Sequence, residues 1–234
     1  MEETKNLIGN YASKAAQSTL LRSVYVWMTL ALVITGFVSM YVAQSYQLVS
    51  FIFGNRLALW GMLIAELAVV FYLSARINSI SFTKATVMFI IYSILNGATL
   101  ASIFLVYTMS SIASTFFVAA GTFGVMALYG YITKSDLTRI GNICLMALIG
   151  LIIATLVSMF WQNSMLQMII TYVGVILFAG LTAYDSQKIK RLLTADGIEV
   201  TEETQKIALL GALTLYLDFI NLFLYLLRLL GDRK

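Results

Sequence analysis

The stretch 211–228, GALTLYLDFINLFLYLLR, decides how this chain is read. Set on a helix, it puts Gly211, Thr214, Asp218, Asn221, Tyr225 and Arg228 at alternating steps of three and four, one stripe along one side. Every residue between them is Leu, Ile, Phe, Ala or Tyr. A carboxylate, an amide and a phenol are thus lined up on a helix otherwise apolar enough for lipid. An Asp near the centre of a membrane helix costs at least ~2.5 kcal/mol. The stripe must therefore face protein or water, and the rest of the chain reads as the wall around it.

Composition sets the class. Of 234 residues, 60% are hydrophobic and 11% charged, more apolar surface than a soluble domain can bury. The chain is expected to be an all-α polytopic membrane protein of about seven spans at roughly 20 residues each. The net charge of +4 is scattered at loop ends, which fits sidedness in a membrane and gives no support to nucleic-acid binding. Cys144 stands alone, so an intramolecular disulfide is excluded. With no His, imidazole-based metal sites, triads and proton sensing are excluded too. No phosphate-binding glycine loop is present, and Cys144 has no base beside it in sequence. Asp185 and Asp218 could nominally form an intramembrane aspartyl protease, but Leu215, Tyr216 and Leu217 stand where a Gly-x-Gly-Asp pattern would be needed. The chain reads as no enzyme, with no resident cofactor.

Spans are predicted over about 24–42, 57–75, 86–107, 112–131, 140–161, 166–184 and 207–230. They leave a polar arm at 1–22, a transmembrane domain over 23–231 and a short tail at 232–234. The first apolar run starts after the arm and is long enough to span, so no cleavable signal peptide is expected. Small residues four apart, as in Ser93/Gly97/Ala101, Ala120/Gly124 and Gly150/Ala154/Ser158, are read as helix packing seams. Asp196-Gly197 is read as a turn, and Thr201 with Glu202 and Glu203 as a helix start. Placing the N-terminus in the cytoplasm puts eleven of the fifteen basic residues inside: Lys5, Lys14, Arg22, Arg76, Lys84, Lys134, Arg139, Lys188, Lys190, Arg191 and Lys206. The basic residues Arg228, Arg233 and Lys234 then fall outside, which leaves a re-entrant last segment as the alternative to a seventh crossing.

Few ionisable groups lie at membrane depth: Glu66, Asp185 and Asp218, with Arg76 and Arg228 at the margins. Asp218 is the strongest signal. Asp185 closes the sixth predicted span, directly before Lys188, Lys190 and Arg191. Tyr92, Asn96 and Thr99 share one side of the third.

The segments LTAYDSQKIK (181–190) and LYLDFINLFLYLLRLLG (215–231) resemble the two signature stretches of the transmembrane Bax inhibitor motif family, and Asn96-Gly97-Ala98-Thr99 is similar to a further family feature. The resemblance implies a seven-helix fold with six helices around a central last helix, and a pH-sensitive calcium-permeable leak. It implies that Asp185 and Asp218 form a hydrogen-bonded pair controlling ion passage, with Arg76 the nearest match to a basic latch on the first of them. Glu66, Asn96, Thr99, Thr214, Asn221 and Tyr225 are the expected pore-lining or supporting residues. Lack of a long basic C-terminal tail resembles bacterial members, which places the protein in the plasma (inner) membrane as a monomer. Two carboxyls in contact in a poorly solvated place cannot both ionise cheaply, so a proton is shared and the titration belongs to the pair. Ca²⁺, the expected transported ion, would compete for the same oxygens, making Asp185 and Asp218 its candidate ligands. Two other readings stay open. One is a non-conducting partner of a membrane-anchored protease, docking through residues 1–22; the other is a proton-coupled transporter using Asp218.

Overall fold

A computed structural model describes residues 2–161, 163–195 and 197–234, with side chains from residue 13 onward. Among the described residues the chain is all helix: α1 (Glu2–Gln44), α2 (Tyr46–Gly54), α3 (Arg56–Arg76), α4 (Phe82–Val106), α5 (Met109–Ile132), α6 (Thr138–Phe160), α7 (Ser164–Leu193) and α8 (Glu202–Leu230). All but α2 are long and apolar enough to cross a membrane. The seven expected spans are therefore present. α8 has 67% of its most apolar window buried, against 11% to 39% in the other six, as expected for the central helix.

The chain divides into two units: residues 1–106 with 190–216, and residues 107–189 with 217–234. In the first unit α1 packs along α4, and α3 lies on α4 as well. The buried side of α1 is a helical line, Ala16, Leu20, Val24, Met28, Ala31, Thr35, Ser39 and Val42. Gly97 makes this seam close, because a Cβ there would strike Thr35 and Val38, and the Ser39 hydroxyl donates to the Gly97 carbonyl at 2.6 Å. In the second unit α5 buries Ser111, Ile112, Thr115, Ala119, Phe123, Ala127 and Gly130. Phe116 and Phe123 meet Phe219 edge-on at 5.4 and 5.5 Å, which fixes α5 against the C-terminal half of α8.

Three expectations are corrected and one element is added. Residues expected as a loop after the first span form α2, capped by Ser45, whose hydroxyl accepts from Leu48 N–H. The polar arm is helical and continuous with the first span. Gly124 and Gly150 are not seams: a Cβ at either would meet nothing within 4 Å. Asp185 does not end its helix, since α7 continues to Leu193. Hydropathy marks only the part of a helix that needs lipid, while Lys, Gln and Arg propagate it beyond. Of the Asp196-Gly197 turn, Asp196 lies outside the described residues; Gly197 takes φ +73°, left-handed as a turn glycine should be. Thr201 caps α8 as expected, its hydroxyl accepting from Thr204 N–H at 3.3 Å.

α8 is an unbroken helix of 29 residues, long and apolar enough to cross a membrane: at ~1.5 Å per residue it runs ~43 Å against a ~30 Å hydrocarbon core. Its start is tied to the end where α1 begins: Gln17 donates to the Thr194 and Ala195 carbonyls, Lys206 to the Ile80 carbonyl at 3.1 Å, and Phe82 N–H to Glu202. Its finish is tied to the α4–α5 connection, through Thr108 N–H on the Asp232 carbonyl and Asp232 N–H on the Ser111 hydroxyl.

Candidate functional site: two buried acids and a polar chain

Asp185 on α7 and Asp218 on α8 are hydrogen-bonded to each other through their carboxyl groups. Both lie in the second unit. Asp218 is 5% exposed and its Oδ2 has no partner, while Asp185 is half-buried with Lys188 one turn further on. A bond between two carboxyl groups needs a proton, because two carboxylates offer only acceptors.

The surroundings fix α7 in place. Gln187 clasps the α5–α6 connection from both ends of its amide, accepting from Leu137 N–H at 2.9 Å and donating to the Ser135 carbonyl at 2.7 Å. The Tyr184 ring lies where a Cβ on Gly141 would be, and Gly130 admits the Ala183 backbone at a distance no larger residue allows. These contacts bracket Asp185 on both sides in sequence. Phe178 stacks on Tyr225 at 5.8 Å, which joins α7 to α8 about two turns further along α8.

A second polar site occupies the first unit. Glu66 on α3, 9% exposed, accepts from Thr99 Oγ1 at 2.9 Å and from Asn96 Nδ2 at 3.3 Å. Asn96 Oδ1 accepts from the Tyr216 hydroxyl at 3.0 Å, and that hydroxyl touches Thr35 Oγ1 at 2.7 Å. Thr35 in turn reaches the Ser93 carbonyl at 3.0 Å. The chain Glu66–Asn96–Tyr216–Thr35 therefore crosses α3, α4, α8 and α1. Phe89 and Tyr92 close edge-on around the Tyr216 ring, both at 5.9 Å.

The expected residues are thus sorted. Asp185 meets Asp218; Glu66, Asn96 and Thr99 meet one another. Thr214 and Asn221 spend their donors on their own helix, at the Leu210 and Leu217 carbonyls, and stand half-buried. Arg76 is exposed at the end of α3, in the other unit from Asp185. Tyr216 and Thr35 were not expected. A Tyr in an apolar helix reads equally as lipid-facing, and only the neighbouring helices reveal its role. Among the described residues no group of three or more acidic or Cys side chains could hold a metal ion. A Ca²⁺ at the Asp pair would have two carboxylates and would need carbonyls or water for the rest of its six to eight ligands.

Residues 17–234 match the family described as "Inhibitor of apoptosis-promoting Bax1". The chain is 50% identical over 221 residues to the inner membrane protein YbhL of Escherichia coli K12, covering 94% of each. It is 42% identical to an uncharacterized protein of Borreliella burgdorferi, over 93% of this chain and 94% of that one. It is 38% identical to the uncharacterized protein RP147 of Rickettsia prowazekii, over 100% of this chain and 99% of the relative. With matches of that extent, the chain belongs to the Bax inhibitor family that its sixth and seventh spans resemble.

Proposed function

We propose that this protein is a proton-gated calcium leak of a bacterial inner membrane, with its N-terminus in the cytoplasm. The supporting observation is the carboxyl–carboxyl hydrogen bond between Asp185 and Asp218. With one proton on the pair the bond ties α7 to α8 and the path is shut. When the proton leaves, two carboxylates repel at contact and the tie loosens. Ca²⁺ entering there meets two hard carboxylates and too few further ligands to stay, which suits a passing ion better than a resident one. The inner-membrane location follows the named E. coli relative and the seven apolar helices.

The test is Ca²⁺ uptake into proteoliposomes across a pH series. Flux through the native protein rises as the pair deprotonates. Asp218→Asn replaces the shared proton by an amide N–H that donates to Asp185 at every pH, so its flux should be low and nearly flat. An Asp218→Asn protein with the native pH profile sinks the reading.

A further inference from the structure

At the finish of α8, on the α6–α7 side and within the second unit, lies an open cavity of about 570 Å³ that the gating pair does not use. Arg228 and Arg233 line it. Arg228 is held in place: its guanidinium lies 5.7 Å over the Tyr225 ring, which also stacks with Phe178 and fills the space a Cβ on Gly174 would take. Arg233 is set by its backbone bridge to Tyr107. Among the described residues neither guanidinium has an ion-pair partner, and no acidic side chain lines the cavity. Two positive charges with ten N–H donors between them thus converge unanswered.

The other walls sort by what they can still donate. Thr155, Ser158 and Thr171 give their hydroxyl protons to carbonyls of their own helices at 2.7 to 2.8 Å. Among the described residues Ser164 and Gln167 have no such side-chain bond and remain available. Met159, Met168 and Leu229 supply an apolar side. The neighbouring end of α6 carries Phe160 and Trp161, 91% and 70% exposed, as aromatic residues are at headgroup level. That exposure suits headgroup level, where lipid phosphate lies.

We infer that this cavity binds a phosphate group, that of an anionic phospholipid, with Arg228 and Arg233 on the phosphate oxygens, Ser164 and Gln167 as further donors, and the methionines against the glycerol and upper acyl chain. Guanidinium suits this ligand because its planar fork pairs two oxygens at once. A free phosphate shares the polar half of that chemistry and lacks the apolar half.

The experiment uses the full chain in uncharged detergent, read by thermal unfolding and native mass spectrometry with phosphatidylglycerol, phosphatidylcholine or inorganic phosphate. Phosphatidylglycerol should raise the melting temperature and stay bound; phosphatidylcholine should not. The double variant Arg228→Gln/Arg233→Gln should weaken phosphatidylglycerol binding by about tenfold or more, as loss of charge-assisted bonds does. Arg228→Lys/Arg233→Lys should retain part of it. The control Arg56→Gln/Lys134→Gln removes the same charge elsewhere and should leave it intact. Inorganic phosphate that stabilises as well as the lipid would assign the same arginines to a soluble phosphate. Equal binding of both lipids, or equal loss in the control, overturns the inference.

Discussion

Glu66 and Asp218 are both carboxylic acids in apolar helices, 9% and 5% exposed, yet they are satisfied in opposite ways. Glu66 receives hydrogen bonds from an amide and a hydroxyl, donors that keep their protons whatever the acid does. Asp218 is bonded to another acid, and one of its oxygens has nothing. The first arrangement holds together without a proton of its own; the second cannot. Burial alone therefore does not make a switch. The proposed switch needs a partner that is itself titratable, and Asp218 has one in Asp185.

The largest break in this comparison comes from Asp218→Ala. It leaves Asp185 with no carboxyl to share a proton, so the leak should be raised at every pH, where Asp218→Asn is shut at every pH. The lost bond and the orphaned acid should also lower stability by about 1–3 kcal/mol in detergent unfolding. If alanine and asparagine give the same flux, the tie is not what gates. The matched change in the other unit is Glu66→Ala, which strands the Asn96 amide and costs about 1–2 kcal/mol. Glu66→Gln should recover most of that, because the Thr99 hydroxyl can turn to accept. Neither should move the pH at which flux rises, and a shifted midpoint in Glu66→Gln would put the proton switch in both sites.

How much of this was readable beforehand follows from what one strand of sequence can encode. Asp185 and Asp218 stood out because an acid in an apolar run has no cheap explanation. Their meeting came from the family resemblance, since spacing along a chain says nothing of which helix lies opposite. Thr214, Asn221 and Tyr225 share one side of α8 by their spacing, but helical spacing cannot tell a donor aimed at a neighbour from one spent on its own helix. Gly97 and Gly150 carry the same small-residue pattern, yet the first is pressed against α1 and the second meets nothing. α2 was hidden because YQLVSFIFG is short and apolar, and periodicity cannot separate such a run from the tail of a span.

Tyr216 gives the finest test of the first unit, because its protons can be counted. Its hydroxyl and that of Thr35 carry one hydrogen each, yet together they approach three oxygens: Asn96 Oδ1, the Ser93 carbonyl and one another. Two hydrogens cannot serve three contacts, so one contact goes without. Tyr216→Phe leaves the Asn96 oxygen with no donor and should cost about 1 kcal/mol. Thr35→Val removes only an extra bond to Ser93, whose carbonyl remains inside α4, and it leaves the Tyr216 proton on Asn96. Its cost should be nearer ~0.6 kcal/mol, the average of interhelical hydrogen bonds in a membrane protein. Unfolding of the two variants and of the double change decides the order. If Thr35→Val is the costlier, the Tyr216 proton points toward Thr35 in the native chain, and the link from Glu66 to α1 is broken at Asn96.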